Sequence, residues 1–306
     1  MVDRGNIIKI KKDFRNMDQF YDLNEMVAYH IDNTLAYDDE HSELFKEYVK
    51  RYRSLVNNGI IVKTSEVDTY EVFGVLYDFY KGKGNYNKYV SQLKNNGSFV
   101  FTDELLEGKA LLYRDENGNS KADISVFPSN NECVILTLVH EIEHARETKM
   151  LEEKDNNFIN KYYSYGPMRE LFPRVRAKEM ALYLLENGYN EENVISSMDY
   201  LFASDLKAME DYLKLGKKKK NFFKDNYSEN VEERLKCIPY GYGEILSSTI
   251  LEICDGDFEL SNEIQKELIC VRGPGYSREI LNTIGCCKED LIKNGGKVYK
   301  KIHNKK

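Results

Sequence analysis

Residues 127–148 read Phe127-Pro-Ser-Asn-Asn-Glu-Cys-Val-Ile-Leu-Thr-Leu-Val-His140-Glu-Ile-Glu-His144-Ala-Arg-Glu-Thr148. Ser129 and Glu132 stand three apart, the spacing of a capping box, in which each side chain satisfies the other residue's free backbone amide. Val134, Ile135, Leu138, Val139 and Ile142 then recur at helical spacing, so a helix is predicted from this cap to about Thr148. His140 and His144 are four apart and share one face of that helix, one turn from each other. Two imidazoles so placed can share one tetrahedral Zn²⁺. Glu141 adjoins the first histidine and can reach a metal-activated water without binding the metal, the place of a general base. Only five histidines occur in the chain, so chance rarely produces this pattern.

Working outward, the sequence before this helix changes period. Residues 98–102, 110–114 and 122–127 are short runs of β-branched and aromatic residues bounded by turn formers. Asn117-Gly118 between the last two is a hairpin signal. The stretch 115–123 has acidic and Asn positions like a calcium loop but lacks the final glutamate, and reads as that hairpin turn. A small antiparallel sheet is therefore expected just before the metal helix. The strand over 122–127 offers an edge with which an extended peptide can pair.

Elsewhere the periodicity is helical. Helices are predicted over 18–36, 41–56 (closed by Asn57-Asn58-Gly59) and 68–80, the last with Tyr70, Phe73, Leu76, Tyr77 and Tyr80 inward. Residues 81–85 form a loop. After the metal helix come helices at 171–187, ending at Asn187-Gly188, then at 191–214, 229–237, 243–254, 260–270, 277–284 and 288–300. The fold class is mainly α, with a helical N-terminal portion over 1–96 and a catalytic core over 97–306, read as one continuous unit.

A catalytic zinc needs a third protein ligand. No histidine lies between residues 145 and 302, so a carboxylate is expected, from Glu147, Glu170, Glu179 or Glu186. Glu147 is a turn further along the same rigid helix and suits a supporting position better. Glu170 and Glu179 lie at or on the next helix, and spacing does not choose between them. His30, His41 and His303 read as surface residues.

The run from Val139 to Tyr189 resembles the catalytic core of the thimet oligopeptidase and oligoendopeptidase F family of zinc metallopeptidases. In that family a glutamate ligand near a proline follows the histidine motif by about 25 residues; here Glu170, with Pro173 beyond it, stands 26 residues after His144. Tyr240-Gly-Tyr-Gly-Glu-Ile-Leu246 resembles the family's Tyr-rich helix entry, which implies that Tyr242 donates to the oxyanion. Residues 271–285 resemble its Gly-rich loop and helix. The resemblance spans roughly residues 120–300. It implies a zincin-type helical core binding one Zn²⁺ through His140, His144 and Glu170, with Glu141 as base and peptides as substrate. The family has Gly at the place of Glu143, His at that of Glu147, and a substrate-contacting histidine that is missing here. These departures support an alternative, a catalytically inactive peptidase-like interaction protein.

Bulk properties set the remaining expectations. A net charge of −7 argues against a dedicated nucleic-acid binder. No apolar run approaches a membrane span, and no export signal precedes the helices. The six cysteines show no Cys-x-x-Cys spacing, so reduced thiols and a cytoplasmic location are expected. Oligomeric state is not legible.

Overall fold

The computed structural model describes residues 35–55, 64–84, 86–95, 99–102, 108–114, 120–154, 169–216, 237–268 and 286–303. Most of the helix expected over 18–36, nearly all of that at 229–237, and the helix at 277–284 lie outside these residues. So do the turns at 57–59 and 115–119, the Gly-rich loop, His30 and Cys270. The chain divides into two compact units, each drawn from three stretches: 1–56, 155–172 and 202–298 in one, and 57–154, 173–201 and 299–306 in the other.

The second unit opens with helix α1 (Thr69–Tyr80), capped by Asp68, whose carboxylate accepts from Tyr70 N and Glu71 N. It buries Val72, Phe73, Val75, Leu76, Phe79 and Tyr80. Tyr70 is 89% exposed and Tyr77 only half-buried, against expectation. At 100° per residue Tyr70 falls roughly opposite the face these six residues define. Helix α2 (Tyr86–Asn95) was not expected, because its ten residues carry few apolar positions. It follows a turn in which Gly82 and Gly84 adopt φ of 76° and 59°.

Strands β1 (Phe99–Phe101), β2 (Lys109–Arg114) and β3 (Ser120–Val126) form one sheet in the order β1-β3-β2. The β2–β3 pair is the expected antiparallel hairpin, with Lys109 opposite Ser125 and Arg114 opposite Ser120. β1 joins the far side of β3 and runs parallel to it, so the sheet is mixed rather than antiparallel. β3 is consequently central, with both edges paired. The outer edges of β1 and β2 have no strand partner among the described residues.

Helix α3 (Asn131–Lys154) carries the histidine motif and runs past Thr148. Its cap is Asn130, not Ser129. Asn130 Oδ1 accepts from Cys133 N at 2.8 Å, and its carbonyl accepts from Val134 N. Glu132 turns away from the helix start and accepts from Asn190 N and Asn193 Nδ2, at 3.2 and 3.1 Å. Asparagine is as good a cap as serine, and starting one residue later releases Glu132 to tie down a second helix.

That second helix follows α4 (Leu171–Glu186), whose first turn takes Pro173 where no intrahelical N–H is required. α4 ends as expected: Gly188 has φ 77°, Gly188 N donates to Leu185 O, and Tyr189 N donates to Leu184 O. Those are the two bonds of a Schellman motif. Helix α5 (Glu191–Lys214) then begins on Asn190, whose side chain accepts from Asn193 N. α3, α1 and the sheet pack into one core through Leu76, Ile124, Val126, Ile135, Val139 and Ile142, all buried.

In the first unit, helix α6 (Asp38–Tyr52), with a 3₁₀ turn over Arg53–Leu55, packs with α7 (Cys237–Cys254) and α9 (Lys288–Gly295), and α8 (Phe258–Leu268) packs on α7. α7 starts six residues before the expected 243 because Pro239 fits its first turn. The expected helix over 288–300 is broken at Gly296 into α9 and α10 (Lys297–His303). The break serves packing: a Cβ on Gly295 or Gly296 would stand 2.1 or 2.0 Å from the rings of Tyr48 and Tyr52. None of the described helices is long and apolar enough to cross a membrane.

Candidate metal centre

Helix α3 buries five ionisable side chains within eight residues: His140, Glu141, Glu143, His144 and Glu147. Burial of such groups is costly unless each has a partner or a ligand. The histidines answer for each other first. Their Nε2 atoms lie 3.1 Å apart, with the rings edge to face. Zn–N bonds of 2.0–2.1 Å in a tetrahedral shell hold two nitrogens about 3.3 Å apart. The separation in the chain therefore suits one shared cation.

Glu170, which directly precedes α4, offers a third possible donor. One ligand atom each from His140, His144 and Glu170 lie within 4.8 Å of one another, and all three residues are buried. Two imidazoles and a carboxylate make the donor set of a zinc site with an open position. The other carboxylates named by the sequence do not join this group. Glu179 is held by Arg176 Nη1 at 2.7 Å, Glu186 is exposed, and Glu147 is buried on α3. α7 reaches Glu170 at Gly243, where a Cβ would stand 2.6 Å from Glu170 Cβ and 2.9 Å from its carbonyl carbon. Only glycine admits that approach, which gives the glycine of the Tyr-Gly-Tyr-Gly run a structural role.

Glu143 belongs to a different set of contacts. Its carboxylate accepts from Arg146 Nη2 at 2.5 Å and Nε at 3.0 Å, and from the Tyr86 hydroxyl at 3.3 Å. Arg176 Nε stands 4.0 Å away, with neither side chain exposed. Arg146 also lies over the Tyr86 ring. Burial alone would make the Arg176 guanidinium easier to deprotonate, but Glu179, Tyr86 and Glu143 outweigh it and hold it charged. Burial and then Glu143 push the Tyr80 and Tyr86 phenols well above their ordinary range, so both stay protonated. In sequence Glu143 stands out only as a departure from a family pattern; its partners on α2 and α4 show why an acid stands there.

His41 corrects a second expectation. It is fully buried on α6 rather than at the surface, and its Nδ1 lies 2.7 Å from the Tyr242 hydroxyl. Its ring packs against Phe45, Tyr212 and Tyr242. The partner is 201 residues away in sequence, so no local pattern signals it. Burial, and then Glu40, push the Tyr242 phenol up, which keeps it a hydrogen-bond donor across the working pH range. His303 is half-exposed and shares Asp199 with the Tyr299 hydroxyl, tying α10 to α5.

Compared with protein-family models, curated proteins and solved structures, the chain matches none.

Proposed function

We propose that this chain is a zinc-dependent peptidase of the thimet oligopeptidase type. The observation that carries the reading is the convergence of His140, His144 and Glu170 on one buried point. These three would hold the metal. Zn²⁺ bound there would supply Lewis acidity, raising the acidity of a water and polarising the scissile carbonyl. Glu141, beside the first ligand on the same helix turn, accepts the proton of the attacking water and returns it to the leaving amine.

Tyr242 serves as oxyanion donor in this reading. With His41 protonated at Nδ1, its ring donates to the phenol oxygen 2.7 Å away, which leaves the phenol proton for the developing negative charge. The peptide lies along β2, whose outer edge is unpaired among the described residues, in place of the 122–127 strand expected from sequence. A Cβ on Gly108, the residue before β2, would stand 2.8 Å from Glu141, which puts this end of β2 beside the base.

The test is metal analysis together with cleavage of a mixed peptide library. Wild type is expected to hold about one zinc per chain and to turn over. Glu141→Gln is expected to keep the zinc and lose ~10²–10⁴-fold in rate. A chain that retains zinc at this site yet cleaves nothing is instead the inactive interaction protein.

A further inference from the structure

Gly108 stands over the stripe of α3 formed by Thr137 and Glu141, which are one helical turn apart. A Cβ built on it would lie 2.5 Å from Thr137 Cγ2, 2.8 Å from Glu141 Cγ and 2.8 Å from Glu141 Oε1. Thr137 is not free to turn aside. Its hydroxyl donates to the Cys133 carbonyl at 2.9 Å, and that bond selects the rotamer that aims the methyl group at Gly108. Glu141 is buried, with its Oε1 in the space that a side chain on Gly108 would need.

We infer that Gly108 is a positioning residue for the base: its backbone is the wall that sets where the Glu141 carboxylate stands. Any side chain at 108 displaces that carboxylate while leaving His140, His144 and Glu170 in place. The role given to Glu141 rests on the peptidase reading; the contact itself does not.

Ordinary contact begins at 3.4 Å, so an alanine methyl must move Thr137 Cγ2 by about 0.9 Å and Glu141 by about 0.6 Å. A misplacement of about 1 Å costs ~10²-fold in rate. Gly108→Ala is therefore expected to lower kcat ~10–100-fold with KM within about twofold. Zinc content and the visible spectrum of the Co²⁺-substituted protein are expected to stay as in wild type. Thr137→Ser removes the obstructing methyl group. Alone it keeps the wild-type rate, and combined with Gly108→Ala it restores most of the lost kcat, because the new methyl moves into the vacated space.

A purely structural role for Gly108 would instead lower metal retention and kcat together, with no rescue by Thr137→Ser, and that result overturns the inference. So does a Gly108→Ala enzyme with wild-type kcat. If wild type binds no zinc or cleaves no peptide, the peptidase reading falls. A crystal structure of the metal-free Gly108→Ala chain then decides the positioning by itself: a displaced Glu141 carboxylate upholds it, and an unmoved one ends it.

Discussion

Glu143→Gln is the substitution for which the structure gives the firmest magnitude, and it does not depend on any catalytic role. Glutamine keeps the volume and much of the hydrogen-bonding shape, so the variant removes little besides the charge. Glu143 is wholly buried, is gripped by Arg146 through two nitrogens, and has Arg176 at 4.0 Å. After the change, the buried Arg176 keeps Glu179, whose side chain is 14% exposed, and Arg146 loses the charge of Glu143. Removing one partner of a buried ion pair costs about 3–5 kcal/mol. Arg146 retains some exposure and can turn toward solvent, so the lower end, about 3 kcal/mol, is expected.

Urea unfolding at neutral pH measures this. With an m-value of roughly 3 kcal/mol/M for a chain of this size, the midpoint should fall by about 1 M. Arg176→Met should cost a similar amount. The double variant should cost at least about 1 kcal/mol less than the two single losses added together, because both remove the same network. Lys214→Met is the control: Lys214 pairs with Asp211 at 2.9 Å, but their side chains are 68% and 29% exposed. Such a pair contributes less than about 1 kcal/mol. A Glu143→Gln midpoint no lower than that of Lys214→Met would refute the account of this network.

Metal binding gives the next expectations. His144→Ala should abolish tight zinc binding in equilibrium dialysis, and full occupancy in that variant would remove the site. Glu170→Ala should weaken zinc retention far more than Glu179→Ala, since Glu179 is occupied by Arg176; the reverse order would reassign the third ligand. Tyr242→Phe should keep the zinc and lose about 10²–10³-fold in kcat with little change in KM, measured on a peptide substrate. Lys83 adds a pH effect: burial, partly offset by Glu179, lowers its ammonium to about 8 from an ordinary 10.5. Between those values the unfolded chain binds the extra proton, so this group raises stability as pH rises through the window. Lys83→Met should lose that rise between pH 7.5 and 9.5 in urea midpoints, and an unchanged pH slope would count against it.

What was legible in the sequence was local. The His140–His144 pairing needs only i,i+4 geometry, and the end of α4 needs only Asn187-Gly188, whose glycine takes the left-handed conformation that closes the motif. The β2–β3 hairpin also declares itself through its own residues. What escaped depends on partners far along the chain. β1 pairs in parallel with β3, a strand that is not its neighbour in sequence, so no local turn signal announces it. His41 looked like a surface residue because Tyr242, which buries it, comes 201 residues later. The cap of α3 moved by one residue because Glu132 is drawn to the start of α5, a choice between two sets of hydrogen bonds that Ser-x-x-Glu spacing cannot make.

The acids of α3 then separate by what answers them. Glu132 is taken by the backbone and side chain at the start of α5, and Glu143 by two arginines and a tyrosine. Those two account for the helix as a structural member: they fix its first turn and its middle against α5, α2 and α4. Glu141 lies beside Gly108, whose missing side chain leaves the carboxylate its place. The two histidines present nitrogen to nitrogen at 3.1 Å, where a single proton can join them only if one acts as donor and the other as acceptor. A cation would accept both lone pairs at once, and Glu170 would bring one negative charge to it. Other side chains thus explain the burial of Glu132 and Glu143, while His140, His144 and Glu170 form the group that could hold a metal. Glu143→Gln should disturb the first by lowering stability, and His144→Ala should disturb the second by removing the zinc.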